Sequence, residues 1–198
     1  LFRSANSNAS GGNGIAIGSF AGQNVTGNEN VAIAHSAGQN ISGYNNLAIM
    51  KSAGQNVKGN NNLAIGIYAG GNNTGHGNIA IGQEAARFDK DGNNRSGSSF
   101  IDTIALGTKS VVEANNAIAI GKGAQALNKN SISVGTGNIV SGANSGAFGD
   151  PNNVTGNASY AFGNNNTIAQ ENTFVLGNSV TTTQANSVVL GNLSTDRE

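Results

Sequence analysis

The chain has 198 residues, a length for one or two domains, with ten basic and ten acidic residues and no cysteine. The balanced charge points neither to nucleic acid nor to an anionic membrane surface. The lack of cysteine excludes disulfides and thiolate metal sites, and no apolar run approaches the ~18 residues of a membrane-spanning helix.

Glycine reaches 30 residues, only 10% of the chain is charged, and asparagine is the commonest residue. Such a composition reads as disorder unless the apolar residues recur at a fixed period. They do. After a lead-in over 1–12, an apolar–small–apolar triplet begins at Ile15-Ala16-Ile17-Gly18 and returns to the end of the chain. Its middle residues are Ala16, Ala32, Ala48, Ala64 and Ala80, in steps of 16. One step of 25 leads to Ala105. Steps of 14 then give Ala119, Ser133, Ala147, Ala161, Val175 and Val189. The repeat thus spans 13–192: 16-residue coils to about 86, a charged insertion over 86–102, and 14-residue coils from about 102. Residues 193–198 read as the start of a connection. Both ends are abrupt, and the chain reads as a piece of a longer one.

Each triplet is too short for a helical pattern and is bounded by Asn and Gly, so each predicts a short strand between turns. A second, weaker strand is expected after each glycine. In the 14-residue units it carries Val112, Ala126, Val140, Val154 or Ile168; in the wider units it runs over 21–25, 37–41 and 53–57. Fourteen residues supply two strands of about four residues and two tight turns, and no third face. The expectation is therefore an all-β, two-sided parallel β-roll of about twelve coils, stacked at ~4.8 Å into a rod of roughly 55–60 Å.

The triplet strand is apolar on both faces, whereas a roll has one interior. One face is left bare along the stack, and such a stripe marks a subunit interface. The expectation places the large residues, Phe148, Phe162 and Phe174 among them, inside the roll, with the Ala/Ser/Val row along a symmetry axis; the reverse assignment is the alternative. The number of subunits does not follow from this argument. Asn116, Asn130, Asn144, Asn172 and Asn186 share one position, with Ala158 the exception, and predict a stacked Asn ladder at a turn. Glycines such as Gly18, Gly66, Gly82 and Gly107 predict positive φ. Ala34 and Met50 replace that glycine and predict turns of a different kind.

The segments Asn116-Ala117-Ile118-Ala119-Ile120-Gly121, Asn130-Ser131-Ile132-Ser133-Val134-Gly135 and Asn186-Ser187-Val188-Val189-Leu190-Gly191 resemble the head repeats of trimeric autotransporter adhesins, of the Yersinia adhesin A-like type. The resemblance covers about 13–191. It implies a left-handed parallel β-roll, a homotrimer, and display on the surface of a Gram-negative bacterium. In that family a coiled-coil stalk and a C-terminal membrane barrel anchor the head in the outer membrane. Neither is visible here, so contact with a membrane would come only through parts outside this sequence. The 16-residue coils and the insertion depart from the family's plain 14-residue pattern.

Candidate contact residues concentrate in the insertion. Arg87, Asp89, Lys90, Asp91, Arg95 and Asp102 are six of the twenty charged residues, flanked by Phe88 and Phe100. A loop leaving a regular scaffold is a common place for function; the alternative is a tolerated insertion with its phenylalanines packed back onto the roll. Tyr44, Lys51, Lys58 and Tyr68 are expected on outward positions of the wider coils. Asp89-Lys90-Asp91-Gly92-Asn93 hints at a calcium loop, but Asn94 and Phe100 stand where that loop needs glycine and glutamate. No metal or cofactor is expected. His35 and His76 lie in different coils without a repeated acidic partner and read as exposed turn residues, not as bases.

The function expected is non-enzymatic adhesion: polyvalent contact with a host extracellular-matrix protein or cell-surface receptor. The alternative is a structural spacer or a self-associating module. Ice binding needs a repeated threonine ladder, and Thr181-Thr182-Thr183 occurs once. A β-helical enzyme needs convergent acids and bases, and the carboxylates here are dispersed.

Overall fold

The computed structural model describes residues 8–95 and 99–194, and it is an all-β parallel solenoid of about twelve turns, with no helix among the described residues. The first residues of the lead-in (1–7), three residues of the insertion (96–98) and the tail 195–198 lie outside the described residues. The chain divides into two compact units, 1–109 and 110–198.

The first unit carries six three-residue strands: β1 (Ile15–Ile17), β2 (Val31–Ile33), β3 (Leu47–Ile49), β4 (Leu63–Ile65), β5 (Ile79–Ile81) and β6 (Ile104–Leu106). Each pairs in parallel with the next, middle residue on middle residue, so Ala16, Ala32, Ala48, Ala64, Ala80 and Ala105 form one row. A strand of three with period-2 side chains sends its middle residue one way and its two flanking residues the other. The structure turns the small middle residue inward. Ala32, Ala48, Ala64, Ala80 and Ala105 are buried, while the flanking Ile, Leu and Val side chains are half-buried or exposed. This reverses the favoured sequence expectation. The reason is width: so short a coil leaves room for one inward residue per triplet, and two large side chains per strand do not fit. Opposite the strand alanines stand Ala21, Ala37 and Ala53. A Cβ added to Gly54 would come within 2.9 Å of the Ala48 Cβ. Val25, Ile41 and Val57 fill the interior farther along the same coils.

The expected second strands over 21–25, 37–41 and 53–57 do not form. Each segment is a run of turns, reduced to single parallel bridges such as Thr26 to Ser42 and Ser42 to Lys58. Every second residue there has a left-handed backbone: Ser36 (φ 57°), Gly38 (59°) and Asn40 (58°) are one such set. Alternating left-handed residues wind the chain out of the extended conformation a ladder needs.

The second unit carries β8 (Ile118–Ile120), β10 (Ile132–Val134), β12 (Gly146–Phe148), β14 (Tyr160–Phe162), β16 (Phe174–Leu176) and β17 (Val188–Leu190) in one parallel sheet. Its 14-residue coils form the expected second side: β7 (Val111–Val112), β9 (Gln125–Ala126), β11 (Ile139–Val140), β13 (Asn153–Val154) and β15 (Thr167–Ile168) make a five-stranded parallel sheet. Val140, Val154 and Ile168 meet Ala147, Ala161, Val175 and Val189 between the sheets. Ser133 and Ala119 are buried in the same inward row. Phe148, Phe162 and Phe174, expected as core, instead lie on the outward face. The Phe148 and Phe162 rings stack at 4.7 Å, and Phe174 follows at 5.5 Å.

Stacked amides hold neighbouring coils together. The predicted ladder forms, with Asn116 Nδ2 donating to Asn130 Oδ1 (3.1 Å), Asn130 to Asn144 (2.8 Å) and Asn172 to Asn186 (3.1 Å). Ala158 keeps the same left-handed backbone, φ 51°, and interrupts the bonds. A second kind of ladder is buried. Asn46, Asn62 and Asn78 each donate through Nδ2 to the Oδ1 of the asparagine one coil before, and the same oxygen accepts their backbone N–H. Each Nδ2 also donates to a turn carbonyl: Gly59, Gly75 and Phe100 in turn. Asn138, Asn152 and Asn166 repeat the device in the second unit. These bonds satisfy backbone groups that the tight turns would otherwise bury unpaired.

Gly18 and Gly66 have φ of 125° and 135°, as expected of that turn. Ala34 and Met50 do not make a different turn; they adopt its positive φ, at 98° and 88°.

Candidate functional site

The insertion leaves the repeat after Ala86 as a small antiparallel excursion. Phe88 pairs with Asn94; the Asp89 N–H donates to the Asn93 carbonyl (2.9 Å) and the Arg95 N–H to the Arg87 carbonyl (3.1 Å). Asp89 organises the tip. Its Oδ1 accepts the backbone N–H groups of Asn93 (2.8 Å) and Asp91 (3.0 Å), and its Oδ2 accepts Asn93 Nδ2 (3.2 Å). The Asn93 amide foremost, against the opposing effect of desolvation and helped by the Asn93 side chain, the Asp91 amide and the Lys90 charge, holds its carboxyl below the ordinary 3.8. Ringed by these N–H donors, the Asp89 carboxylate staples the hairpin. Lys90 and Asp91 pair at 2.7 Å in solvent, where such a pair contributes little.

The structure separates the candidate residues into three groups. Arg95 is 6% exposed, donates through Nε to the Phe88 carbonyl (3.3 Å) and lies 5.1 Å over the Phe100 ring. It is a packing residue, which corrects its place among the expected contact residues. Phe88 and Phe100 are half-buried, and the Phe100 carbonyl takes over as acceptor for the buried Asn ladder. The chain therefore rejoins the repeat at Phe100 because its backbone supplies the acceptor that glycines supply in earlier coils.

Tyr44, Lys51 and Lys58 are exposed, as expected, but they are not together. Tyr44 stands over a shallow groove with Thr26, Ser42 and Asn60, on a floor of Gly27 and Gly43. Those glycines are required: a Cβ on Gly27 would meet the Gly43 carbonyl oxygen at 2.2 Å. Lys58 pairs by its backbone with Ser42 near that groove, and Lys51 precedes Ser52 on a different corner. His35 and His76 are exposed turn residues.

Tyr68 and Arg87 form the third group, and the fold does bring these two together. The Arg87 guanidinium lies 4.1 Å over the Tyr68 ring and 4.9 Å from the Phe88 ring. Its Nε donates to Asn94 Oδ1 (3.3 Å), and Nη1 lies 3.5 Å from Glu84, whose other oxygen is 3.8 Å from Lys109. Tyr68, Arg87 and Asn94, together with Ser52, Gln55 and Asn72, line a cleft of about 130 Å³ on the first unit. Tyr68 holds a left-handed φ of 60°, uncommon for an aromatic residue. Sequence reasoning flagged Tyr68 and Arg87 but not Asn72 or Asn94. The signal for Asn72 was available: Asn8, Asn24, Asn40, Asn56 and Asn72 recur every 16 residues.

The most extended feature is the outward face of the triplet strands. Ile15, Ile17, Leu106, Phe174, Leu176, Val188 and Leu190 are exposed, and the flanking residues of the strands between them are half-buried, apart from Gly146 under the Tyr160 ring. In each unit this gives a band two residues wide over six strands. Comparison of the chain with family models and with curated proteins finds no match.

Proposed function

We propose that the chain is the head of a trimeric autotransporter adhesin. In this reading three left-handed rolls meet along the outward apolar faces of their triplet strands, displayed at the surface of a Gram-negative bacterium. Stalk and outer-membrane anchor belong to other parts of the full-length protein. The assembled head binds a host extracellular-matrix protein or cell-surface receptor without chemistry. The observation that carries the reading is the apolar band, with Val188 69% and Leu190 65% exposed at its second-unit end. A contiguous apolar strip of this kind marks an interface. Three copies would then present each exposed side chain three times, so weak contacts gain avidity.

The experiment is a pair of measurements on the purified head. Mass in solution comes first: a stable monomer overturns the assembly. Binding to an array of immobilised matrix proteins and adhesion receptors comes second, with a variant lacking residues 87–101 alongside. Binding lost in the variant places the contact on the insertion; equal binding places it on the repeat surface. No binding to any surface, with beads carrying the head clustering by themselves, replaces adhesion to a host by self-association.

A further inference from the structure

From the Tyr68–Arg87 cleft we infer a binding site for a carboxylate-bearing sugar, such as the acidic terminal residue of a glycan. The inference does not rest on the trimeric adhesin reading, because every residue of the cleft comes from one unit of one chain.

The cleft's chemistry narrows the ligand. Its side chains are Ser52, Gln55, Asn56, Tyr68, Asn72, Arg87 and Asn94, with Gly71 between them. None is aliphatic, so the cleft lacks the apolar anchor pocket on which a protein partner's binding energy concentrates. At about 130 Å³ the cleft has room for several waters, and so for part of a small polar ligand.

A cation is already positioned. The rings of Tyr68 and Phe88 fix the Arg87 guanidinium, and Asn94 holds its Nε. A guanidinium has five N–H donors. The bond to Asn94 uses one, and the 3.5 Å approach to Glu84 is at the limit of a second. The others remain for a carboxylate, which the planar fork matches in shape. Arg87 and Lys109 place two positive charges beside the single carboxylate of Glu84.

The second donor comes from a broken ladder. Asn24, Asn40 and Asn56 each donate through Nδ2 to the next asparagine, ending with Asn56 to Asn72 at 2.9 Å. The residue 16 places beyond Asn72 is Phe88, where the chain departs into the hairpin. Among the described residues no asparagine continues the ladder beyond Asn72, and Asn72 lines the cleft. Arg87 and Asn72 thus supply donors to one carboxylate, while the Asn94 and Gln55 amides and the Ser52 hydroxyl offer partners for ring hydroxyls.

The test is titration of the purified chain with glucuronic acid and N-acetylneuraminic acid, followed by NMR of the Asn72 and Asn94 side-chain amides and of Arg87 Nε. Glucose, acetate, inorganic phosphate and an oligoglutamate peptide are the comparison ligands. The expected result is that at least one acidic sugar shifts all three signals and binds at least tenfold more tightly than glucose or acetate. Arg87→Gln and Asn72→Asp should each weaken that binding at least tenfold, and Lys90→Gln should leave it unchanged. Asn72→Asp keeps the oxygen that accepts from Asn56, so the ladder and the fold persist. Glucose binding as well as the acids, or phosphate or the peptide binding as well or better, overturns the inference. So does unchanged acidic-sugar binding in Arg87→Gln, or no shift with either acid. Each of these failures leaves the assembly reading standing.

Discussion

Asn56 and Asn62 sit six residues apart in one coil and both belong to asparagine ladders, yet their replacement by alanine should cost very different amounts. Asn62 is buried. Its Nδ2 donates to Asn46 Oδ1 (3.0 Å) and to the Gly75 carbonyl (2.9 Å); its Oδ1 accepts the Asn78 N–H (3.2 Å) and Asn78 Nδ2 (3.0 Å). Alanine would orphan a backbone carbonyl at Gly75 and a backbone N–H at Asn78. At ~1–3 kcal/mol for each buried unsatisfied group, the loss is about 4 kcal/mol. Asn56 is exposed, and water replaces its bonds to Asn40 and Asn72. What remains is the cost of alanine at φ 57°, about 1 kcal/mol. Ala158 occupies the equivalent conformation naturally. In a chain of this size ~1 kcal/mol moves the melting temperature by roughly 2–4 °C. Thermal unfolding at one fixed protein concentration should therefore lower Tm by about 8–16 °C for Asn62→Ala and by about 2–4 °C for Asn56→Ala. Equal losses would refute the accounting, because they would mean that burial of the ladder adds nothing to it.

Three further outcomes follow from the same geometry. Ala48→Leu should destabilise by about 3 kcal/mol in urea unfolding, since Gly54 already leaves no room beside the Ala48 Cβ; Ile49→Ala, on the outward face of the same strand, should cost the isolated chain about 1 kcal/mol or less, and the opposite order would restore the large-residues-inside arrangement. Met50→Gly should raise Tm by about 2 °C, because it relieves a φ of 88° at a side chain that is 45% exposed and packs little; a fall in Tm would show that the turn carries no strain. The Asp89 carboxyl is held below its ordinary 3.8, so the staple it provides is fully present above that value and is lost as pH falls through the lower, folded one. An acid titration by NMR should move the Asp91 and Asn93 amide signals together below that range, and movement at or above it would remove Asp89 as the staple.

The positions of the twelve triplet strands were legible because their period survives every substitution within it. Ser133, Val175 and Val189 break the alanine consensus without shifting the register. The asparagines were legible only in part. Asn130 in its turn and Asn62 before its strand are the same residue type in equally regular rows, and what separates them is the local backbone. A position immediately before a strand, as at Asn30, Asn46, Asn62 and Asn78, faces the interior and must bond turn carbonyls. The left-handed turn position of Asn116, Asn130, Asn144, Asn172 and Asn186 faces solvent. The second side of the wider coils was misread for a related reason. The segment Ala37-Gly38-Gln39-Asn40-Ile41 has strand-like spacing of apolar residues, but its small residues and asparagine permit left-handed φ at alternate positions. Two extra residues per coil then go into turns rather than extension.

The misassigned face of the triplet carries the most physical weight. A three-residue strand places either one or two side chains inward, and hydrophobicity alone favours placing two large ones there. Coil length overrules it: the interior admits alanine against alanine, as at Ala32 and Ala37. The energetic consequence is that much of this chain's large apolar surface is not used by its own fold. Full burial of a Val, Leu, Ile or Phe side chain contributes ~1.5–3 kcal/mol, and alanine contributes far less. Each unit turns up to two such residues per strand outward over six strands, while the inward residue of each triplet is Ala or Ser except at Val175 and Val189. Covering that band would bury large apolar side chains that the fold leaves half-buried or exposed. Cohesion between coils within the chain rests instead on backbone ladders and amide stacks, which tolerate an exposed apolar face without unfolding. A scaffold built this way keeps its coil register through hydrogen bonds and leaves many of its large apolar side chains on its outward face.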